Sequence, residues 1–174
     1  MTAAWLEETI VEAIGECPID SRIPMGGISF ANAFRQAVAR WLPCCGFVPA
    51  YMLHEGIDDA RYSKEWIEEI KSPAFTWSRG GDCDDWACFL SCLSKIPALL
   101  CFRRGSPCHI ANYYRDLKGF RYFDLTLQST HPGPAIYYQT RTFRTLEELC
   151  RDVRDGFTFD GIQEIPFTII KRSW

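Results

Sequence analysis

Residues 80–95 constrain this chain more than any other stretch. Gly80-Gly81-Asp82-Cys83-Asp84-Asp85-Trp86-Ala87 reads as a tight turn leading into a helix over residues 83–95. Two glycines free the backbone for the turn. Asp82 is a good N-cap, and Asp85, three positions on, can reach back as in a capping box. Ala87, Leu90, Ser91 and Ser94 form one stripe of the helix, flanked by Cys88, Phe89, Cys92 and Leu93. A helix apolar on most of its sides is a buried helix, so the rest of the fold has to wrap around it.

Cys83 falls in the first turn of that helix, where backbone N–H groups have no intrahelical partner. The positive end of the helix dipole favours a thiolate there. Asp82, Asp84 and Asp85 push the other way, because negative charge disfavours a second anion. A nucleophilic Cys83 therefore needs a base from elsewhere in the chain.

The 174 residues suit a single domain, 1–174, with one sizeable core. A net charge of -3 and a pI near 5.6 argue against a nucleic-acid partner, which calls for a basic face. No stretch has the apolar length of a membrane span, so no membrane partner is expected. Met1 to Glu8 carries neither a basic leader nor an apolar run, so it does not read as a signal peptide. The nine cysteines then read as mostly reduced thiols in a cytoplasmic compartment, or equally in a virion.

Taken in order, Leu6, Ile10, Ala13 and Ile14 make residues 3–16 an amphipathic helix. Ser29 caps a second helix carrying Phe30, Phe34, Val38 and Trp41, which Pro43 ends. Cys44 to Pro49 reads as a loop or short buried strand. Ser63 opens a third helix that Pro73 closes. Beyond Pro97 the period changes. Ala98 to Arg103, Cys108 to Arg115 and Phe120 to Thr126 read as strands, with Asp116-Leu117-Lys118-Gly119 as a hairpin turn. Residues 128–134 read as a loop and Ile136 to Phe143 as a further strand. Thr145 caps a last helix to Asp155, and Phe167 to Ile170 closes the sheet. The expected class is α+β, with a central Cys-bearing helix packed on an antiparallel sheet and wrapped by N-terminal helices.

The hairpin makes a geometric prediction. A turn centred on Leu117 and Lys118 sets Arg115 opposite Phe120, Tyr113 opposite Tyr122 and Ala111 opposite Asp124. Side chains alternate, so His109 and Asp124 share a face as diagonal neighbours, roughly 7–8 Å apart at the backbone. A one-residue change in turn length would reverse that parity. A cysteine nucleophile needs a base and the base needs an orienting group, so the pair supplies what Cys83 lacks.

The order Gly-Gly-Asp-Cys-Asp-Asp-x-Ala on a helix, then His109 on a strand, then Tyr122-Phe123-Asp124-Leu125-Thr126 on the next, resembles the transglutaminase-like cysteine protease superfamily. The resemblance covers about residues 77–127. It implies a papain-like core with Cys83 as nucleophile, His109 as base and Asp124 as the group that orients it. It also implies cysteine-dependent acyl transfer on a peptide, isopeptide or amide bond of a protein or peptide substrate. A tryptophan indole completes the oxyanion site in such proteins, and Trp77 and Trp66 are the candidates. Two features motivate a second reading, in which the fold serves as a structural or binding protein, for instance in a virus particle. The interval from Cys83 to His109 is short, and Ile110-Ala111 stands where an aromatic residue is expected after the histidine. A third reading, a cross-linking transglutaminase, differs only in the nucleophile that resolves the thioester.

Cys88, Cys92, Cys101 and Cys150 read as small buried hydrophobes. Cys83, Cys88, Cys92 and Cys108-His109 could offer soft ligands, but no C-x-x-C pair occurs, so neither metal nor other cofactor is expected.

Overall fold

The computed structural model describes residues 2–58, 60–65 and 68–168. Its elements are α1 (Ala3–Ala13), β1 (Arg22–Pro24), α2 (Phe30–Trp41), a 3-10 turn (Leu42–Cys44), α3 (Ala50–Gly56), β2 (Glu69–Lys71), α4 (Pro73–Arg79) and α5 (Cys83–Ser94). They continue with β3 (Ala98–Arg103), β4 (Ser106–Asp116), β5 (Gly119–Phe123), α6 (Leu127–Thr130), α7 (Pro132–Thr140), α8 (Leu146–Gly156) and β6 (Gly161–Ile165). The class is mixed α and β with antiparallel sheets. One sheet is the small pair β1–β2, and the other has the order β5-β4-β3-β6. Among the described residues no helix is long and apolar enough to cross a membrane.

Hydroxyl caps set the helix starts where the sequence places them. Ser29 Oγ accepts the Asn32 N–H at 3.3 Å and Thr145 Oγ1 accepts that of Glu148 at 3.0 Å, each filling an orphan donor of a first turn. Alternation along the large sheet builds two cores. Leu100, Ile110, Tyr114 and Phe123 face α5 and the N-terminal helices. Leu99, Ala111, Tyr113 and Tyr122 face the other way, onto Tyr138, Leu149, Val153 and Phe157 of the C-terminal segment. The sheet is thus a central layer between two helical ones. Nearly all of α5 is buried.

Five elements differ from the sequence reading, the first being the loop expected over residues 128–134, which instead holds most of α6 and the start of α7, with Pro132 at a first helical position. Pro73 opens α4 rather than closing a helix: it stands at the first helical position behind the Ser72 cap, where a missing N–H costs nothing. Residues 63–65 are not helical. Residues 136–140 form the second half of α7, not a strand. Their β-type composition yields to helical packing, in which Ala135 and Tyr138, three apart, go into the second core. The edge of the large sheet is closed by β6 beside β3, while Phe167 and Thr168 are helical and Ile169 and Ile170 lie outside the described residues.

Candidate active site

The turn before Cys83 is built by close approach. Gly80 ends α4 with a positive φ of 86°, and a Cβ there would stand 2.4 Å from the Arg61 carbonyl oxygen. A Cβ on Gly81 would lie 2.5 Å from the Asp85 side chain. Only glycine fits either position. The segment is pinned by Gly81 N–H to Arg61 O at 3.1 Å, Ser63 N–H to Gly81 O at 2.9 Å and Trp86 Nε1–H to Arg61 O at 3.1 Å. Cys83 is thereby fixed as the first residue of α5, half-buried.

The three carboxylates divide the work. Asp85 Oδ2 reaches back to the Asp82 N–H at 3.2 Å, while Oδ1 accepts the Lys71 N–H at 2.7 Å and so ties the helix start to β2. The Asp82 carboxylate stands over the Asp85 N–H, completing the box loosely, but the well-aligned bond from that N–H goes to Asp84 Oδ1 at 3.1 Å. Burial, a hydrogen bond with Asp82 and the charges of Asp82 and Asp85 raise the Asp84 pKa well above the carboxylate range. Asp85 is raised to about 6, chiefly by burial, against the pull of its Lys71 contacts. The upward shift of Asp84 and the pairing of Asp85 with Lys71 both reduce the negative charge set beside Cys83 relative to three free carboxylates. The donor atoms of Asp82, Cys83 and Asp84 lie within 4.8 Å of one another, and Asp82 Oδ1 is buried without a partner.

The hairpin has the expected register: Arg115 pairs with Phe120 and Tyr113 with Tyr122. Asp116 Oδ1 caps the turn by accepting the N–H groups of Lys118 and Gly119, at 2.7 and 3.1 Å. At the opposite, open end, His109 Nε2 meets Asp124 Oδ2 at 2.6 Å. Their side chains are 12% and 2% exposed. Asp124 is saturated, since Oδ2 also accepts the Tyr122 hydroxyl at 3.1 Å, and Oδ1 accepts Thr126 N–H and Oγ1–H at 2.9 and 2.7 Å. Burial raises the Asp124 pKa, but the His109 charge and these bonds outweigh it and hold it below the usual carboxylate range. Burial lowers that of His109, but Asp124, and secondly the Cys83 sulfur, overcome it and hold the ring protonated well above its ordinary range. The ring lies parallel to Phe159, with centroids 6.3 Å apart.

Cys83 and His109 line one cleft of about 360 Å³ with Met25, Phe30, Pro107 and Cys108. With Nε2 engaged by Asp124, Nδ1 is the nitrogen left for the sulfur. The contact forms in an unanticipated way. The body of α5 packs on the sheet face carrying Ile110 and Phe123, whereas His109 and Asp124 belong by parity to the face of Tyr113 and Tyr122. Cys83 and His109 share their cleft at the open end of the hairpin, where the β3–β4 register shifts between Cys101 and Phe102.

No family model, curated protein or solved structure matches this chain. The site therefore rests on its own geometry. Cys83, His109 and Asp124 are brought together, with Asp82 and Asp85 as helix cap. Trp77 is not: its ring stacks on Phe89 at 5.9 Å and lines a separate cavity with Leu6 and Trp86. Trp66 lies outside the described residues. Tyr122 and Thr126, which hold Asp124, were visible in the sequence only as strand residues. Tyr62, bridged to Gly81, stands near enough that burial and then the charges of Cys83, Asp82 and Asp84 raise its pKa. A larger cavity of about 990 Å³ opens at the turn end of the hairpin, lined by Tyr51, Tyr114 and Leu117, and contains neither Cys83 nor His109.

Proposed function

We propose that this protein is a cysteine-dependent acyl-transfer enzyme that hydrolyses a peptide, isopeptide or amide bond, with a transglutaminase-like, papain-type core. What supports the reading is that Cys83 and His109 line one cleft while His109 Nε2 rests on the saturated Asp124 carboxylate at 2.6 Å. Asp124 fixes the ring orientation and stabilises the imidazolium, and this leaves Nδ1 to exchange a proton with the sulfur. The thiolate attacks a carbonyl carbon. The oxyanion faces the Cys83 N–H, which has no helical partner at the first position of α5. The tetrahedral intermediate collapses as His109 Nδ1 gives its proton to the leaving amine. Water, deprotonated by the same nitrogen, then cleaves the thioester.

The test is competitive alkylation by iodoacetamide near neutral pH, read residue by residue by mass spectrometry. Cys83 should react ahead of Cys108, although Cys108 is the more exposed thiol. Equal labelling of the two would remove the basis for a nucleophilic role. Amine incorporation into glutamine would assign the resolving step to transglutamination instead of hydrolysis.

One observation favours the non-catalytic reading, that of a structural or binding protein such as one in a virus particle. Trp77 stands in another cavity, so among the described residues neither tryptophan candidate is placed at the oxyanion. On that reading Cys83→Ala leaves the biological activity intact, and loss of activity in that variant rejects it.

A further inference from the structure

A second group of thiols lies away from the Cys83 cleft. Cys17 follows α1, Cys44 ends the 3-10 turn, and Cys45 follows it. Their three sulfur atoms lie within 4.8 Å of one another. The Cys44 thiol donates to the Trp41 carbonyl at 3.1 Å, and the fully buried Cys92 of α5 lies behind the group. The approach is held by the backbone: Gly46 N–H donates to Ala13 O at 2.7 Å, and a Cβ on Gly46 would stand 3.1 Å from Ala13 Cα. All the thiols are unbridged.

We infer that Cys17, Cys44 and Cys45 form a binding site for one thiophilic metal ion of the zinc group. Three thiolates on one such ion, at about 2.3 Å each in tetrahedral directions, have sulfurs about 3.8 Å apart. The sulfurs need to close by no more than about 1 Å on that standard. Each thiol releases its proton to water on binding, so a divalent ion with three thiolates carries one net negative charge. A cation is already in place beside them: the Lys95 ammonium donates to the carbonyls of Cys45, at 3.2 Å, and of Cys92. Cys44 is half-exposed and gives the ion its path, and the fourth position is left to water. The bound ion ties the end of α1 to the turn that Val48 and Ser94 already anchor on α5. The inference is independent of the chemistry at Cys83.

Cadmium, titrated into the reduced, metal-stripped full chain, is the probe. The thiolate-to-cadmium absorbance should saturate at one ion per chain, and the ion should shield Cys17, Cys44 and Cys45 from maleimide labelling. Cys44→Ser should weaken binding at least about tenfold, since even the loss of an outer partner costs that much. Cys44 is half-exposed, so this variant can be checked for folding and for loss of the cadmium-induced rise in Tm. Cys83→Ala should bind as the natural protein does. Absence of a saturable band, or a band that survives Cys44→Ser and disappears in Cys83→Ala, overturns the assignment. The latter result would place the ion on Asp82, Cys83 and Asp84.

Discussion

Replacing Asp124 by Asn removes one charge at nearly constant shape and so isolates the electrostatics of the relay. The carboxylate accepts four hydrogen bonds, two on each oxygen. An amide has one oxygen. If that oxygen keeps Thr126, the amide NH2 faces the Nε2–H of His109 and the Tyr122 hydroxyl. Burial then governs the ring, and its pKa falls below the ordinary value of 6.5 instead of standing well above it. At about pH 8 the expected loss is that of a charge-assisted hydrogen bond, about 1.5–3 kcal/mol. At about pH 5 the unfolded chain binds a proton that the variant's buried ring binds less readily, which adds up to about 2 kcal/mol, the ceiling set by 1.5 pH units at about 1.4 kcal/mol each. The signs are opposite in the two proteins. In the natural chain the raised pKa contributes stability that is full below 6.5 and is lost as pH rises through the folded value. In the variant the depressed pKa removes stability as pH falls. Urea unfolding followed by tryptophan fluorescence at the two pH values measures the difference. A deficit of equal size at both, or a larger one at alkaline pH, would refute the ion-pair account.

Three further outcomes follow from the same geometry. Thr126→Val removes the 2.7 Å bond to Asp124 Oδ1 and should cost about 1 kcal/mol, read by urea unfolding; an unchanged midpoint would count against that bond as a support of Asp124. Asp85, raised to about 6 in the fold, contributes stability that is full below the ordinary carboxylate pKa and declines as pH rises to about 6. Asp85→Asn should flatten that stretch of the stability profile. It should also cost about 1–3 kcal/mol at neutral pH, because one amide oxygen cannot serve both the Lys71 and Asp82 N–H groups. Gly80→Ala puts a Cβ 2.4 Å from the Arg61 carbonyl at a positive φ, and should lower stability by about 1–3 kcal/mol from strain. An unchanged Tm would mean that the Arg61 segment yields freely.

Much of the site was legible because the interactions that build it are local. The Gly-Gly turn, the Asp82 and Asp85 cap and the start of α5 depend on neighbours within a few positions. The hairpin register depends on a two-residue turn, and parity then carries His109 and Asp124 to one face without knowledge of any other element. The misread elements are those whose state is set by distant partners. Ile136-Tyr137-Tyr138 has the composition of a strand, and only the second core on the far side of the sheet makes it helical. Pro73 carries the same ring whether it ends one helix or begins the next, and the Ser72 cap with the β1–β2 pairing selects the second.

The sequence alone therefore determined a buried helix with a thiol at its mouth and a ribbon with an imidazole and a carboxylate on one side. Periodicity, caps and turn length are properties of adjacent residues. Only the tertiary structure decided where those two units meet, that Trp77 turns to Phe89 rather than to the thiol, and that Cys17 joins Cys44 and Cys45 across more than two dozen residues. Contacts of that kind arise from the packing of whole layers, and separation along the chain carries no record of them.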